Sequence, residues 1–183
     1  MVFGAQKLLP VAVERYVIYV FGLSTLGLES GMVWQFFTHA FLHGSVWHLV
    51  VNMMALWFAG LPVEFVLGRW RLLMVYFCSA FGGGILQMML GEPGVDLIGA
   101  SGAVCGVLLS FATIYWNREV TVLLFFVVPL RLQAKFLGIG IIGVSVVAIV
   151  FQIEPWIGHA AHLGGALTGW LFTKGFGFAG RRR

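Results

Sequence analysis

A series of apolar stretches, each about the length that crosses a lipid bilayer as a helix, is the feature that most constrains this chain. Charged residues make up only 10% of its 183 residues, against roughly 25% in soluble domains. Because only a helix satisfies its own backbone hydrogen bonds in lipid, the pattern predicts an all-α polytopic membrane protein. We predict five full transmembrane helices, over residues 46–66, 72–90, 101–116, 134–153 and 158–174.

The charged residues between these spans predict how the chain is oriented. Nine of the eleven Lys and Arg residues fall on one side, which the positive-inside rule makes cytoplasmic: Arg69, Arg71, Arg118, Arg131, Lys135, Lys174 and Arg181 to Arg183. Glu92, Asp96 and Glu154 fall on the opposite side. The helix that begins at Ser101 therefore starts from the outer side. Basic residues spread in this way indicate topology, so no nucleic-acid partner is predicted.

Two apolar segments are too short to be assigned as spans. Residues 16–28 follow the charged pair Glu14 and Arg15, which a full span would have to bury at a cost. We predict that this segment is membrane-associated and external. Residues 120–130 precede Arg131 and are predicted to lie at the membrane interface. Cys78 and Cys105 both lie in apolar runs, so no disulfide framework is indicated.

The polar residues inside the spans are the informative ones, because each needs a partner or a function. They lie toward the predicted outer ends of their helices: Ser101, Asn52, Gln87 and all five histidines, His39, His43, His48, His159 and His162. His48 and Asn52 are four residues apart and share a helix face. Small residues form one stripe beside Ser101 (Gly102, Gly106, Ser110) and another with His162 (Gly158, Gly165, Gly169). Such stripes allow the close helix approach that a serine–histidine hydrogen bond requires.

Other interpretations of the same residues remain open at this stage. Glycine stripes usually serve packing, and a serine in a membrane helix often bonds its own backbone. Five histidines could also ligate zinc or iron, as in membrane metalloenzymes. Such sites usually recruit carboxylates, whereas Glu64 and Glu119 are predicted at the cytoplasmic level.

Three motifs resemble those of the rhomboid intramembrane serine proteases over about residues 31–169. The family's Gly-x-Ser-Gly motif is similar to Gly99-Ala100-Ser101-Gly102. Its Ala-His-x-Gly-Gly-x-x-x-Gly helix is similar to AHLGGALTG, from Ala161 to Gly169. Its histidine-rich segment ending in His-x-x-x-Asn is similar to HAFLHGSVWHLVVN, from His39 to Asn52.

The resemblance implies a serine endopeptidase that cleaves transmembrane segments near the outer face. Ser101 would be the nucleophile and His162 the base of a dyad, with the Ser101 backbone N–H, His48 and Asn52 binding the oxyanion. Supporting positions would be Gly99 and Gly102, with Gln87, His39 and His43 holding water. His159, Cys105 or a water molecule would orient His162. The implied partners are transmembrane substrates and the lipid bilayer, with no cofactor and no metal. The implied location is a bacterial inner membrane, with the C-terminus cytoplasmic.

The chain differs from the family pattern at three places. Gln35 follows Trp34 where the family often has arginine, and Cys105 stands where many members have an aromatic residue four positions after the nucleophile. Residues 1–10 look like the tail of the first of six core helices. We therefore expect one rhomboid-like domain over residues 1–183, with a partial first helix and external loop (1–45), a transmembrane core (46–174) and a basic tail (175–183). A catalytically silent relative that binds transmembrane helices is the main alternative.

Overall fold

Helices dominate the computed structural model, which describes residues 10–124 and 128–175. Five long helices begin and end within a few residues of the predicted spans: α4 (Val46–Leu67), α5 (Arg69–Leu90), α6 (Ser101–Ile114), α7 (Ala134–Val150) and α8 (His159–Gly175). In the described part of the chain, α4 and α5 are long and apolar enough to cross a membrane, while α6 and α7 are shorter apolar helices. The predicted count of five full spans is therefore not established by length and composition.

The segment before α4 forms a folded loop of short helices. These are α1 (Val11–Phe21), α2 (Thr25–Glu29), α3 (Gln35–Thr38) and a 3₁₀ turn at His39–Phe41. Its association with the membrane surface stays a prediction. The predicted first-helix tail lies, except for Pro10, outside the described residues, and so does the basic tail beyond Gly175.

Helix α6 occupies the centre of the bundle and packs on α4, α5, α7 and α8. It runs parallel to α8, since Gly102 faces Gly165 and Gly106 faces Gly169. Helix α5 runs antiparallel to α8 on the other side, with Gly83 against the Ala161 carbonyl. These directions are those expected if α6 and α8 start from the same side of a membrane.

Apolar packing closes the end of the bundle remote from Ser101. Ala59, Val63, Leu67, Val75, Val107, Phe111 and Ala134 form one buried cluster there. The Tyr115 hydroxyl donates to the Pro62 carbonyl at 3.2 Å, which links the end of α6 to α4. The end that carries Ser101 is thereby left as the open one.

An antiparallel hairpin connects α6 to α7, and it corrects the all-α prediction. Strands β1 (Glu119–Leu124) and β2 (Val128–Gln133) pair with Val122 opposite Leu130. Val120 packs on the apolar cluster, and the Ala134 N–H donates to the Arg118 carbonyl at 2.9 Å. A two-stranded hairpin leaves half of its backbone groups unpaired by the sheet, which hydrocarbon would not tolerate on a lipid-facing edge. Its position is therefore compatible with the interfacial placement predicted for residues 120–130.

Candidate active site

Ser101 and His162 lie on neighbouring helices with their side chains in contact. Ser101 is the first residue of α6, and His162 lies in the first turn of α8. Ser101 Oγ is 2.7 Å from His162 Nε2, a short hydrogen-bonding distance for this pair. The sequence brings together these two residues from positions 61 apart in the chain.

Glycines make this approach possible by letting two helix backbones touch. A β-carbon at Gly102 would lie 3.0 Å from the Ala161 carbonyl oxygen, and one at Gly165 would overlap the Gly102 carbonyl. Farther along the same interface, Ser110 Oγ donates to the Gly169 carbonyl at 3.1 Å. The predicted small-residue stripes therefore do pack against each other, and they hold the serine and histidine helices in register.

Gly99 shapes the turn that precedes the serine. Its φ of +123° is a conformation that side chains disfavour. A β-carbon there would also meet His48 Cε1 at 2.6 Å. The Gly99 N–H donates to the His39 carbonyl at 2.9 Å, so the loop before α4 holds the turn from the other side. The imidazole of His48 thus lies directly over the backbone that leads into Ser101.

An open cavity of about 500 Å³ surrounds the serine and histidine. His48, Asn52 and Gln87 line it together with Ser101 and His162. Asn52 is 4% exposed, and its Nδ2 donates to the His48 carbonyl at 2.9 Å. The carboxamide has a second N–H, so this bond does not exhaust its donors. Gln87 Oε1 accepts from the Ala161 N–H at 3.1 Å, which fixes the start of α8.

His39 and His43 are buried beside this cavity rather than in its lining. Neither ring nitrogen of His39 makes a hydrogen bond within the described residues. Burial lowers the pKa of His39 to about 4, although nearby backbone of Ala80, Gly99 and Phe36 acts in the opposite direction. Burial and the neighbouring His48 lower the pKa of His43 to about 4, and the rings of His43 and His48 meet edge to face at 5.1 Å. Neither ring is therefore part of the cavity lining, and the role of His39 and His43 in holding water stays a prediction.

His159 and Cys105, the two side chains suggested to orient His162, have different surroundings. The His159 ring is perpendicular to the His162 ring, with centroids 5.8 Å apart, and lines a separate cavity of about 60 Å³ next to Gln87. Cys105 packs toward the cluster of Leu109, Ala112 and Ala166. Of these two candidates for orienting the imidazole, His159 has the ring contact.

Sequence reasoning missed the residues that two loops contribute to the cavity. Asp96 comes from the α5–α6 loop and Trp156 from the α7–α8 loop. Partial burial raises the pKa of the Asp96 carboxyl. Asp96 stands five residues before the serine, which is the one signal that could have drawn attention to it. Trp156 carries no such signal, because only the tertiary fold brings its loop over α6.

A second, apolar groove of about 320 Å³ lies beside the serine cavity. Helices α4 and α7 both pack on α6 without packing closely on each other, and the groove lies between them over Leu108. Val51 lines both the cavity and the groove. The serine cavity and the groove are therefore adjacent, with Val51 at their common border.

Gln35 ties the N-terminal loop together from a fully buried position. Its Oε1 accepts from the Ser24 N–H at 3.2 Å, and its Nε2 donates to the Tyr19 carbonyl at 2.7 Å. Next to it, Leu23 and Leu97 exchange backbone hydrogen bonds of 3.0 and 2.8 Å. Gln35, which stands where the family often has arginine, thus stabilises the N-terminal loop through buried hydrogen bonds. This loop packs against the turn that precedes Ser101.

Residues 10–124 and 128–175 contain no set of side chains that could form the metal site considered as an alternative. No three His, Cys, Asp or Glu side chains in these ranges are arranged to hold a metal ion. The histidines are instead divided among the serine cavity, the buried loop and the small cavity beside Gln87.

Comparison with known proteins decides the family. The family profile of the Rhomboid domain matches residues 30–177, most of the chain. The chain belongs to the rhomboid family. It is a membrane protein of that family, as its apolar helices and its three motifs indicated.

Similar curated proteins come from plants, yeast and bacteria. RHOMBOID-like protein 1 of Arabidopsis thaliana is 34% identical over 147 residues, covering 76% of this chain and 33% of the plant protein. Rhomboid protease GlpG of Pectobacterium atrosepticum is 34% identical over 142 residues, covering 77% of this chain and 48% of that protease. Rhomboid protein 1, mitochondrial, of Saccharomyces cerevisiae is 32% identical over 139 residues, covering 73% and 39%. The chain thus spans about a third to a half of the relatives it matches.

Proposed function

We propose that this rhomboid is an intramembrane serine endopeptidase that uses Ser101 and His162 as a catalytic dyad. The observation that carries the proposal is the 2.7 Å contact between Ser101 Oγ and His162 Nε2 inside an open cavity that His48, Asn52 and Gln87 also line. A serine hydroxyl becomes an effective nucleophile when an adjacent base accepts its proton. Similarity to a protein named Rhomboid protease GlpG supports the same reaction class.

The dyad performs the reaction in two steps. Ser101 Oγ attacks the carbonyl carbon of the scissile peptide bond while its proton passes to His162 Nε2. The C–N bond then breaks, His162 returns the proton to the leaving amine, and an acyl-enzyme ester remains on Ser101. Water, deprotonated by His162, hydrolyses that ester and releases the serine.

The negatively charged oxygen of each tetrahedral intermediate needs hydrogen-bond donors that point at it. The first N–H groups of a helix have no partner within the helix, so the backbone of Ser101 supplies one donor. His48, over the Gly99 turn, and the free N–H of Asn52 supply the others. Such donors typically contribute about 10² to 10³ in rate each.

The substrate is the transmembrane segment of another membrane protein. It reaches the dyad sideways, through the apolar groove between α4 and α7, because that groove meets the serine cavity at Val51. We propose that all five long helices cross the bilayer and that the cavity opens to the outer side, which the basic residues after α4, α6 and α8 support. A bacterial inner membrane remains a prediction.

Cleavage of a model transmembrane substrate by the purified protein in detergent tests the proposal. We expect Ser101→Ala and His162→Ala each to abolish cleavage, because nucleophile and base act as one unit. Ser145→Ala is the matched control and should retain activity, because Ser145 is a buried serine on α7 whose hydroxyl donates to the Ile141 carbonyl of its own helix. Labelling of Ser101 by a fluorophosphonate reports its reactivity independently of any substrate.

A parent protein that neither cleaves the substrate nor reacts with the fluorophosphonate would support the catalytically silent alternative. Retention of more than about a tenth of the activity in His162→Ala would contradict the dyad, since loss of such a base costs orders of magnitude.

A further inference from the structure

The β1–β2 hairpin contributes side chains to the lateral groove, although it lies in sequence outside every predicted site. Thr121 and Val122 of β1 line the groove together with Leu108 of α6 and Leu137 of α7. Val120, next to them, packs on the buried apolar cluster. The hairpin is therefore anchored in the bundle while its neighbouring residues face the groove.

The hairpin closes the gap between α4 and α7 on the side away from the dyad. These two helices flank α6, and the chain returns from α6 to α7 through the hairpin, whose base is fixed by the bond from the Ala134 N–H to the Arg118 carbonyl. The groove meets the serine cavity at Val51 and meets the hairpin at Thr121 and Val122. The hairpin thus forms the wall of the groove at the end away from Val51.

The distance from the dyad to this wall can be read along α6. Leu108, which shares the groove with the hairpin, is seven residues after Ser101, or about 10 Å at 1.5 Å per helical residue. A substrate helix lying beside α6 would bring the residues about seven to ten positions beyond its scissile bond to the hairpin. Apolar spans are about 20 residues long, so the remainder of such a segment must pass outside the groove.

We propose that strand β1 of this hairpin, at Thr121 and Val122, is a substrate-binding surface that contacts the inner half of a transmembrane segment and limits how deeply the segment seats. This inference rests on the proposed protease function and adds a specificity determinant to it. The occupant is an apolar helix, because the lining is apolar apart from Thr121 and because the groove borders the serine cavity at Val51. Substrates with small residues opposite Val122 fit, and those with bulky residues there are excluded.

The test compares two substrates on hairpin variants. One substrate is a full transmembrane segment, and the other is a short water-soluble peptide that carries only the residues around the same scissile bond. Val122→Trp fills part of the groove, and Leu130→Trp is the matched control. Leu130 lies directly opposite Val122 on β2 and is 46% exposed, but it does not line the groove.

We expect Val122→Trp to lower kcat/KM for the transmembrane substrate at least tenfold, mainly through KM, and to change cleavage of the peptide less than twofold. Leu130→Trp should leave both substrates within twofold of the parent. Should Val122→Trp fail to fold, Thr121→Phe at the neighbouring exposed position gives the same comparison. In the parent, a tryptophan scan of the substrate should show loss of cleavage at positions seven to ten, and Val122→Ala should restore part of it.

Unchanged cleavage of the transmembrane substrate by Val122→Trp would overturn the proposal while leaving the protease function intact. Equal losses on both substrates would also overturn it, because the hairpin would then act through the folded core. A parent that cleaves neither substrate refutes the protease function itself.

Discussion

Replacing Gly165 by alanine tests whether the spacing of α6 and α8 sets the geometry of the dyad. The added methyl group would overlap the Gly102 carbonyl oxygen, far inside the 3.0 Å that β-carbons keep from other atoms. The new β-carbon is fixed rigidly to one backbone and the carbonyl oxygen belongs to the other, so relief requires the two helices to separate by about 1 Å. Gly102 follows Ser101 directly, and Gly165 lies three residues after His162, so the separation acts on the 2.7 Å contact itself.

A misplacement of about 1 Å can cost about 10²-fold in rate, which corresponds to about 2.7 kcal/mol of transition-state stabilisation. Overpacking should also lower the free energy of unfolding by about 1 to 3 kcal/mol. We expect Gly165→Ala to remain folded and to lose about 100-fold in kcat/KM on the transmembrane substrate.

Gly143→Ala on α7 is the control, since a β-carbon there meets nothing within 4 Å. That variant should keep its activity and gain slightly in thermal stability, because alanine has the higher helix propensity. Parental rates in Gly165→Ala, with an unchanged melting temperature, would refute the reasoning that backbone contact fixes the dyad.

Three further predictions use the same purified protein. Asn52→Ala should lower kcat by about 10- to 1000-fold through loss of one oxyanion donor, and an unchanged rate would assign Asn52 to packing alone. Gln35→Ala should lower the free energy of unfolding by about 1 to 3 kcal/mol, because the Ser24 N–H loses its buried acceptor, whereas Gln152→Ala on the surface should not. Because burial lowers the pKa of His39 from 6.5 to about 4, the unfolded chain binds more protons between these values. The free energy of unfolding should therefore decrease as the pH is lowered from 6.5 to about 4, by up to about 1.4 kcal/mol per pH unit. Between pH 7 and pH 5, the melting temperature should drop less in His39→Phe than in the parent protein. An equal drop in both proteins would contradict this account.

Helix positions and the pairing of Ser101 with His162 could be predicted from sequence because each depends on local patterns. Apolar length predicts where a long helix lies, and glycines at every third or fourth position mark a face on which a second backbone can lie. The position of His48 over Gly99 could be predicted only in part. Its helix was predicted, but the φ of Gly99 that brings the ring against the turn was not.

The hairpin and the loop residues could not be predicted in this way. Residues 120–130 form one apolar run, whose periodicity does not distinguish a strand from a helix. Asp96 and Trp156 reach the cavity because loops from different parts of the chain converge above α6. In the sequence, Gln35 stands out only as a departure from a family pattern. Its side chain bonds the carbonyl group of Tyr19, a residue more than ten positions away, and no local pattern indicates that contact.

Helix α8 packs between α5 and α6 but follows both of them in the chain, so it is synthesised after them. Ser101 precedes His162 by 61 residues, so a ribosome delivers Ser101 to the membrane well before His162. A nascent chain that ends before α8 lacks the imidazole of His162 beside Ser101, and it lacks the helix that packs on the small-residue faces of α5 and α6 in the folded protein. Under the proposed dyad mechanism, Ser101 therefore gains its base when α8 inserts, and a chain that has not reached that step cannot cleave neighbouring membrane proteins.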